Sequence, residues 1–411
     1  MHEISIMVRK FPFPFKSMLA ISSDLDNTHS LKVYSEMMKF LNTDTETSFG
    51  RGFGLEVGNS FWFYNGTQTP QVSYFSQLTQ NETSFSGFCR ELWKSGHIDT
   101  LHTFGNFDDG GFHRKYAEAG IKELQKHGVT IPVWINHGTK KNTQNIGCDD
   151  SFQGAVRDTN TYHMDITKDA GIRYYWVGRM THVIGQNAKR NVNILSKTLL
   201  QNVINSVKYR SINASFLSYP DNQIMHPSLL QDGSQVWDFQ RWINAWGRET
   251  LLDIHDFIIQ INPSVIKTLI RNEGMMILYT HFNENLIFKE GIPQKLQIAL
   301  QNIKTQFDSG KLLVATVSRL LNYIEISTYI SFDIIDKNNR KIIVINQILN
   351  TPIGGRNITL SDLMGLTFYY LGDIPPQVRF MGQEVQFNKN SPDKTGMLSI
   401  SIPWKMLEYP I

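Results

Sequence analysis

Residues 17–26 read SMLAISSDLD, which is seven small or apolar residues followed by two aspartates around a leucine. The first seven residues have the length of a strand and carry no charge, as expected for a strand buried on both faces. Residues i and i+2 of an extended chain point to the same side, so we predict that Asp24 and Asp26 lie together where this strand ends. One carboxylate could then bind a metal while the other acts as a base. An Asp-rich turn that caps the strand is the alternative.

The same kind of strand recurs along the chain, with amphipathic helical patterns between the strands. The further apolar runs lie at residues 98–104, 131–135, 172–177 and 275–280. The helical patterns lie at residues 86–95, 112–127, 263–272 and 293–307. Strands that alternate with helices are typical of an α/β fold with a parallel sheet. The carboxyl ends of such strands meet at one edge, where barrel enzymes place their catalytic groups.

Two stretches interrupt this alternation, and the last part of the chain departs from it. Residues 42–82 and 209–233 are rich in polar and turn-forming residues, and we interpret them as insertions in loops. Beyond about residue 315 the pattern changes to short alternating segments separated by turns, which is typical of β-structure. The sequence therefore predicts an α/β domain at residues 1–315 and a small C-terminal all-β module at residues 316–411.

The composition argues against several classes of protein. Hydrophobic residues make up 41% and charged residues 19% of the chain, unlike disordered sequences. The 40 basic and 37 acidic residues nearly cancel, and no block of Lys and Arg suits a nucleic acid. Cys89 and Cys148 make no disulfide framework. Residues 1–15 lack the apolar run of a signal peptide, and no apolar run is long enough to span a membrane. We therefore expect a cytoplasmic protein with no transmembrane segment and no nucleic-acid partner.

Histidines end or follow three of the other predicted strands. Residues 96–106 read GHIDTLHTFGN, so that His102 ends a strand. His137 and His281 each come directly or almost directly after a strand. Imidazole is a common metal ligand, and it transfers protons readily near neutral pH. The strand ends that are predicted to meet at one edge of the sheet thus carry both carboxylates and imidazoles.

Taken in order, these segments resemble the motifs of the polysaccharide deacetylase family across residues 17–310. That family has a spaced Asp-x-Asp pair after one strand, a His-Ser or His-Thr pair at the end of a second strand, and a histidine after its last strand. The resemblance implies an α/β fold, namely a distorted (β/α) barrel of about seven strands. It also implies that Asp24 is a general base and His281 a general acid. Asp26 and His102 would bind a divalent metal, for which we expect zinc.

Asn106 departs from the family pattern, because a second histidine ligand belongs at this position. An asparagine offers a neutral carbonyl oxygen where zinc prefers imidazole, so Asn106 predicts a weaker metal site or a different metal. Another residue could supply the third ligand instead, and Asp108, His113 and His137 are the nearest candidates. A relative that has lost catalysis and only binds carbohydrate is a further alternative.

Three residues are candidates for contacts with a substrate. His137 lies where the family carries an Arg-Pro motif that lines the pocket, so it is a candidate for substrate contact as well as for metal binding. Trp176 and Arg179 belong to the run IRYYWVGR at residues 172–179. The tryptophan could stack on a sugar ring, and the arginine could bind a phosphate or a carboxylate. A core tryptophan and a solvated arginine are the alternative interpretations.

The resemblance predicts a metal-dependent hydrolase that removes an N-acyl group, most simply an acetyl group, from a sugar. A cytoplasmic location favours a sugar nucleotide or a lipid-linked glycan as the substrate. We expect this reaction in the biosynthesis of a bacterial surface polysaccharide, such as the O-antigen of lipopolysaccharide. The main alternative enzyme is a glycoside hydrolase, which uses two carboxylates and needs no metal.

Overall fold

The computed structural model describes most of the chain between residues 6 and 410. The described residues are 6–26, 28–138, 140–147, 149–189, 194–200, 203, 221–243, 254–282, 291–337, 340–348 and 350–410. Nine strands form the main sheet, and in chain order they are β1 (Ser17–Ser23), β2 (Gly58–Phe61), β3 (Ile98–His102), β4 (Val133–Ile135), β5 (Tyr174–Trp176), β6 (Met225–Leu229), β7 (Gln235–Phe239), β8 (Met275–Thr280) and β9 (Leu312–Ala315).

Eight of these strands form one path through the main sheet. Their order is β6, β7, β5, β4, β3, β2, β1 and β8, and β9 pairs with β1 outside this path. Neighbouring strands are parallel except β6 and β7, which are antiparallel. β8 pairs along its whole length with residues 18–23 of β1, while β9 pairs with residues 17–20 and β2 with residues 22–23. All seven residues of β1 are consequently buried, as its apolar sequence predicted.

The prediction of a distorted (β/α) barrel is wrong. The main sheet is curled into a half-barrel and stays open, since its end strands β6 and β8 do not pair with each other in the described part of the chain. The helices in the described ranges are also few for such a barrel. At one end of the sheet, residues 225–239 form the antiparallel pair of β6 and β7 in place of a parallel strand and helix. Alternating strands and helices predict parallel pairing, but closure depends on strand stagger and tilt, which the alternation does not encode.

The helices with bounds in the described part of the chain are α1 (Leu31–Asn42), α2 (Ser84–Ser95), α3 (Arg114–Lys126), α4 (Met164–Asp169), α5 (Ile254–Gln260), α6 (Pro263–Arg271), α7 (Gln294–Asp308) and α8 (Val317–Tyr329). Local chemistry explains where several of them begin. Thr83 and Ser86 form a reciprocal capping box at α2. Asn262 caps α6, whose first residue is Pro263. Across the described ranges, no helix is both long and apolar enough to cross a membrane.

Three two-stranded sheets accompany the main sheet. They are Glu46–Thr47 with Gly50–Arg51, Tyr64–Asn65 with Gly105–Asn106, and Met180–Thr181 with Arg241–Trp242. The last two continue strands of the main sheet beyond their carboxyl ends, because their members follow β2, β3, β5 and β7 within a few residues. Residues 42–82, which we interpreted as a loop insertion, therefore contain β2 and part of its continuation.

Two four-stranded sheets form the C-terminal module, and one of their eight strands comes from residues 6–8. In pairing order, the first sheet contains Ile6–Val8, Thr367–Tyr370, Leu398–Ser401 and Asn388–Asn390, and the second contains Phe332–Lys337, Arg340–Ile345, Gln377–Phe380 and Gln383–Glu384. A separate apolar cluster joins both sheets and includes Ile6, Val378 and Ile400. The strand at residues 6–8 therefore contributes to this core, and the predicted division at residue 316 stays a prediction.

The parallel order places the carboxyl ends of eight strands at one edge of the main sheet. The strands that contribute residues to the candidate site are β1, β3, β4, β5, β7 and β8. The polar and aromatic residues at or just after their ends are Asp24, Asp26, His102, His137, Trp176, Arg241 and His281. The edge of the sheet thus gathers residues that lie far apart in the sequence.

Candidate metal centre

Asp26 lies at the centre of a cluster of three histidines. Its Oδ1 is 2.9 Å from His137 Nδ1. Its Oδ2 is 3.2 Å from His281 Nε2 and 3.3 Å from His102 Nδ1. His102 Nε2 in turn lies 3.1 Å from His137 Nδ1. The structure therefore brings together one aspartate and three histidines from the ends of four different strands.

The pairing of β1 with β8 places the aspartates next to His281. Ser23 lies opposite Thr280 in this pair. The backbone N–H of Asp24 donates to the carbonyl oxygen of Thr280 at 2.8 Å. Ser23 Oγ accepts a hydrogen bond from the backbone N–H of Phe282 at 3.3 Å. These bonds continue the strand pair past its end, so the segments that carry the aspartates and the histidine leave the sheet side by side.

β2 and β3 place His102 against an aromatic ring. The imidazole stacks on Trp62 with a centroid distance of 5.4 Å and an interplanar angle of 27°. Its Nδ1 also lies 3.4 Å from Ser60 Oγ. The next residue, Thr103, has a φ of 53°, a left-handed conformation that is rare for a β-branched residue. Thr103 Oγ1 donates to the carbonyl oxygen of Gly105 at 2.9 Å, which stabilises this turn after the histidine.

Two asparagines hold the backbone of His137 after β4. Asn145 Oδ1 accepts the N–H of His137 at 3.0 Å, and Asn145 Nδ2 donates to its carbonyl oxygen at 2.8 Å. Asn142 Nδ2 donates to the same carbonyl oxygen at 3.0 Å. On the ring, Nδ1 faces Asp26, while Nε2 lies 3.6 Å from Asp108 Oδ2. The position of the imidazole is therefore set from both its backbone and its ring.

Burial and charge together set the protonation states in the cluster. Burial opposes the ionisation of Asp26, but the charges of His137 and His102 outweigh it and hold the pKa of Asp26 well below its ordinary value. Burial lowers the pKa of His102 to about 4, against the opposing charge of Asp26. Burial also acts to lower the pKa of His137, but Asp26 outweighs it and the pKa of His137 is raised. At neutral pH the cluster therefore offers a carboxylate and at least one neutral imidazole.

Asp26, His102 and His137 form a donor set that suits a divalent metal ion. Each residue offers one ligand atom, and the three atoms lie within 4.8 Å of one another. The 3.1 Å between His102 Nε2 and His137 Nδ1 is close to the separation of neighbouring ligand atoms in four-coordinate zinc, about 3.3 Å. Three protein ligands from histidine and carboxylate, with one open position, are typical of catalytic zinc. This group is therefore a candidate metal site.

Asp24 faces a buried arginine that the sequence did not single out. Arg241 Nη1 lies 3.4 Å from Asp24 Oδ2. The guanidinium lies 4.4 Å from the ring centroid of Trp176 and 4.2 Å from that of Tyr279, and both rings stabilise its charge. Arg241 belongs to no recognisable motif. It follows β7, whose sequence QVWDF contains an aspartate and is not an apolar run, so no strand signal in the sequence indicated it.

Two of the three residues predicted to contact substrate, Trp176 and Arg179, are involved in interactions beside Arg241. Trp176 Nε1 donates to the carbonyl oxygen of Arg179 at 2.7 Å. Arg179 forms an ion pair with Asp238, whose side chain is buried. Trp176 thus lies next to the cluster through its contact with Arg241, whereas the guanidinium of Arg179 already has an acidic partner.

The candidates for the third metal ligand have different positions. Asn106 Oδ1 accepts a hydrogen bond from the backbone N–H of Asp108 at 3.1 Å, so it shapes the loop that brings Asp108 to His137. His113 is the N-cap residue of α3, and its Nδ1 lies 3.3 Å from Asn160 Nδ2. Of the candidates weighed from the sequence, His137 is the one whose ring nitrogen contacts Asp26 and His102.

Comparison with known proteins adds no family assignment. No protein-family model matches the sequence, and no significant match to it is found among curated proteins. The chemistry of the cluster must therefore be derived from its own geometry.

Proposed function

We propose that this protein is a metal-dependent hydrolase that removes an N-acyl group from a sugar. The observation that carries the proposal is the cluster of Asp26, His102 and His137, with Asp24 and His281 beside it. A metal site flanked by a carboxylate and an imidazole has a group for each of the two proton transfers in amide hydrolysis. The choice of a sugar follows from the resemblance of these segments to the motifs of polysaccharide deacetylases.

Asp26, His102 and His137 would hold the ion, and the two imidazoles favour zinc. When bound, a divalent ion polarises the acyl carbonyl and lowers the pKa of a water molecule toward about 7. The ionised carboxylate of Asp26 and the neutral ring of His102 are ready to coordinate at neutral pH. His137 has a raised pKa, so its ring gives up a proton when it becomes a ligand.

Asp24 would accept the proton of the attacking water. Its Oδ2 lies beside Arg241, whereas its Oδ1 is buried and has no hydrogen-bond partner among the described residues. Arg241 therefore orients the carboxylate and leaves the second oxygen available for a water molecule. A base held in this way needs no rearrangement before it acts.

His281 would protonate the departing amine. Its Nε2 lies 3.2 Å from Asp26 Oδ2, and its side chain is 23% exposed. It is thus the most exposed histidine of the cluster and lies where a substrate can reach it. Imidazole can donate a proton near neutral pH, as the leaving amine requires.

The substrate that we favour is an N-acetylated sugar carried by a nucleotide or a lipid, as in the assembly of a bacterial surface polysaccharide. The position of Asp26 among three imidazoles favours metal-dependent chemistry over a metal-free glycoside hydrolase. The alternative of a binding protein without catalysis was suggested by Asn106. His137 can take the role of the missing ligand, which weakens that alternative.

Metal content is the first test. We expect purified protein to bind about one zinc ion per chain, because three protein ligands with one open position are the usual set for catalytic zinc. His102→Ala and His137→Ala should lose the ion, whereas Asn106→Ala should keep it as the matched control. Elemental analysis after dialysis measures all four proteins. An ion that is retained in His137→Ala but lost in Asn106→Ala would overturn the ligand assignment.

Acetate release is the second test. We expect the zinc-loaded protein to release acetate from at least one member of a panel of N-acetylated monosaccharides, sugar nucleotides and oligosaccharides. A chelator should abolish the release, and added zinc should restore it. Release that persists after complete removal of metal, or cleavage of glycosidic bonds instead, would exclude the proposed reaction.

A further inference from the structure

A second group of ligand atoms lies next to the candidate metal site and shares Asp26 with it. Asp24, Asp26 and His281 each offer one ligand atom, and these atoms lie within 4.8 Å of one another. The two oxygens of Asp26 have different partners, since Oδ1 contacts His137, whereas Oδ2 lies 3.2 Å from His281 and 3.3 Å from His102. A carboxylate that uses one oxygen on each side is able to bridge two metal ions, which lie about 3.5–4 Å apart in two-metal sites.

Asp24 supplies an independent observation that points to a ligand. The residue is only 4% exposed, and its Oδ1 has no hydrogen-bond partner among the described residues. A buried carboxylate oxygen without a partner is costly, so such an oxygen calls for a bound water or a cation. The other oxygen faces Arg241 at 3.4 Å, and this contact fixes the carboxylate.

We propose that Asp24, Asp26 and His281 form a second, weaker cation site, and that its occupation inhibits the enzyme. The inhibition rests on the function proposed above, in which Asp24 is the base and His281 the acid. A divalent ion on these residues would occupy the lone pairs that both groups need for proton transfer. The binding of a second ion does not depend on that function.

The charges explain why the second ion binds more weakly than the first. With the three histidines neutral, as metal binding requires, Asp24, Asp26 and Arg241 together carry one net negative charge before any ion is counted. The first divalent ion reverses this to one net positive charge. A second divalent ion then enters against both the first ion and the guanidinium, and Coulomb repulsion at such distances is strong inside a protein. We therefore expect the second dissociation constant to exceed the first by about tenfold or more.

The activity should respond to the two ions in opposite directions. It rises as the first site fills and falls as the second site fills, so a plot of activity against zinc concentration passes through a maximum. His281→Ala has little residual activity in the proposed mechanism, so activity alone cannot test the second site. Direct measurement of binding is therefore required.

The test is a titration of metal-free protein with zinc, in which binding is measured by calorimetry and, separately, by equilibrium dialysis. We expect two binding steps in the wild type, and one step in both His281→Ala and Asp24→Asn. His281→Ala is the safer variant because that side chain is partly exposed, and His113→Ala serves as a control for a histidine outside both groups. His102→Ala should lose the tighter step.

The outcomes separate this inference from the proposed function. One binding step in the wild type up to millimolar zinc would overturn the second site and leave the first intact. A second step that persists in both His281→Ala and Asp24→Asn would show binding elsewhere on the surface, and it would also overturn the inference. No binding at all would overturn the proposed function together with it.

Discussion

His102 and His137 contact the same carboxylate, that of Asp26, yet the opposing effects of burial and charge shift the pKa values of the two histidines in opposite directions. The pKa of His102 falls to about 4 because burial dominates, while the pKa of His137 rises because Asp26 outweighs the burial. In the ion-free protein, His137 therefore contributes stability that is fully present below a pH of about 6.5 and is lost as the pH rises through its folded-state pKa. The pKa of Asp26 is depressed, so its contribution is present above a pH of about 4 and is lost as the pH falls through its folded-state pKa.

We predict that ion binding weakens on acidification. The ion must displace the proton of His137, so its dissociation constant should rise roughly tenfold for each pH unit below the pKa of that residue. Calorimetry in buffers with different heats of ionisation measures the proton that is released. A dissociation constant that stays the same between a pH of about 5 and about 7 would speak against His137 as a ligand.

A second prediction at this scale concerns the base. Asp24→Asn keeps the shape of the side chain but cannot accept a proton from water. We expect kcat for acetate release to fall by about 100-fold or more, with the metal content of the tighter site unchanged. Asp109→Asn, an exposed carboxylate in the loop after β3, is the control and should keep its activity. Full activity in Asp24→Asn would remove Asp24 from the mechanism.

Among the elements, the loop after β4 shows how a loop can hold a ligand. Asn145 is buried, and its side chain makes two hydrogen bonds to the backbone of His137. We predict that Asn145→Ala lowers the free energy of unfolding by about 1–3 kcal/mol, because buried backbone groups lose their partners. Metal affinity should also fall about 10- to 100-fold, since the support of a ligand is lost. Denaturant unfolding and metal titration measure the two effects.

The control for that variant is Asn160→Ala. Asn160 is exposed, and its side chain makes one contact, with His113, among the bonds described. We expect its unfolding free energy and its metal affinity to stay close to those of the wild type. Asn145→Ala that binds metal as tightly as Asn160→Ala would contradict the positioning of His137 by Asn145.

Elements with strong local signals were the ones that the sequence could predict. α2, α3, α6 and α7 lie within two residues of the patterns at 86–95, 112–127, 263–272 and 293–307. Their periodicity and their caps are local properties of the chain. β2 was missed because it is four residues long and lies among polar and turn-forming residues. Neither a capping signal nor a long apolar run marks it.

The candidate site was predictable to the extent that it depends on strand geometry. That Asp24 lies near Asp26 follows from the alternation of side chains along an extended chain. That His281 lies near both aspartates requires only that its strand is the parallel neighbour of theirs. The contact of His137 with Asp26 depends on the conformation of a loop, which asparagine side chains hold. The position of Arg241 depends on where β7 enters the sheet. Neither feature has a periodic signal, so the sequence pattern could not predict them.

At the scale of the whole molecule, Glu325 connects three parts of the chain. This fully buried carboxylate on α8 accepts hydrogen bonds from Arg173 Nε at 2.9 Å, Trp237 Nε1 at 2.7 Å and Tyr174 Oη at 2.8 Å. Arg356, which lies in the C-terminal part, donates to it at 3.3 Å. Burial opposes the charge of Glu325, but these partners, Arg173 first among them, outweigh it and lower its pKa.

We predict that Glu325→Ala destabilises the protein by about 3–5 kcal/mol, because it leaves two arginines without their buried partner. Glu325→Gln should destabilise the protein less than Glu325→Ala, since the amide keeps the shape of the side chain and one hydrogen-bond acceptor but loses the negative charge. In the wild type, the stability contributed by Glu325 should be lost as the pH falls through its lowered pKa. Denaturant unfolding of the three proteins at several pH values measures these differences. Equal stability of Glu325→Ala and the wild type would show that the connection is dispensable.

The barrel prediction failed at this same scale. A pattern of strands and helices describes neighbours along the chain, whereas closure is a relation between the first and last strands of a sheet. Here β6 and β7 turn back on each other, and one end of the sheet thereby carries an antiparallel strand. The parallel strands from β7 to β8 in the sheet order still bring their carboxyl ends together. The clustering of site residues therefore did not require a closed barrel.

The strand Ile6–Val8 gives the molecule a particular order of assembly. It pairs with Thr367–Tyr370, which in turn pairs with Leu398–Ser401. During synthesis on the ribosome this segment emerges long before its hydrogen-bonding partners. Contacts between such distant parts of a chain form slowly, because a long loop must close first. The module that contains this strand is thus completed only after residues 367–401 have emerged, and until then the segment at residues 6–8 lacks its β-sheet partner.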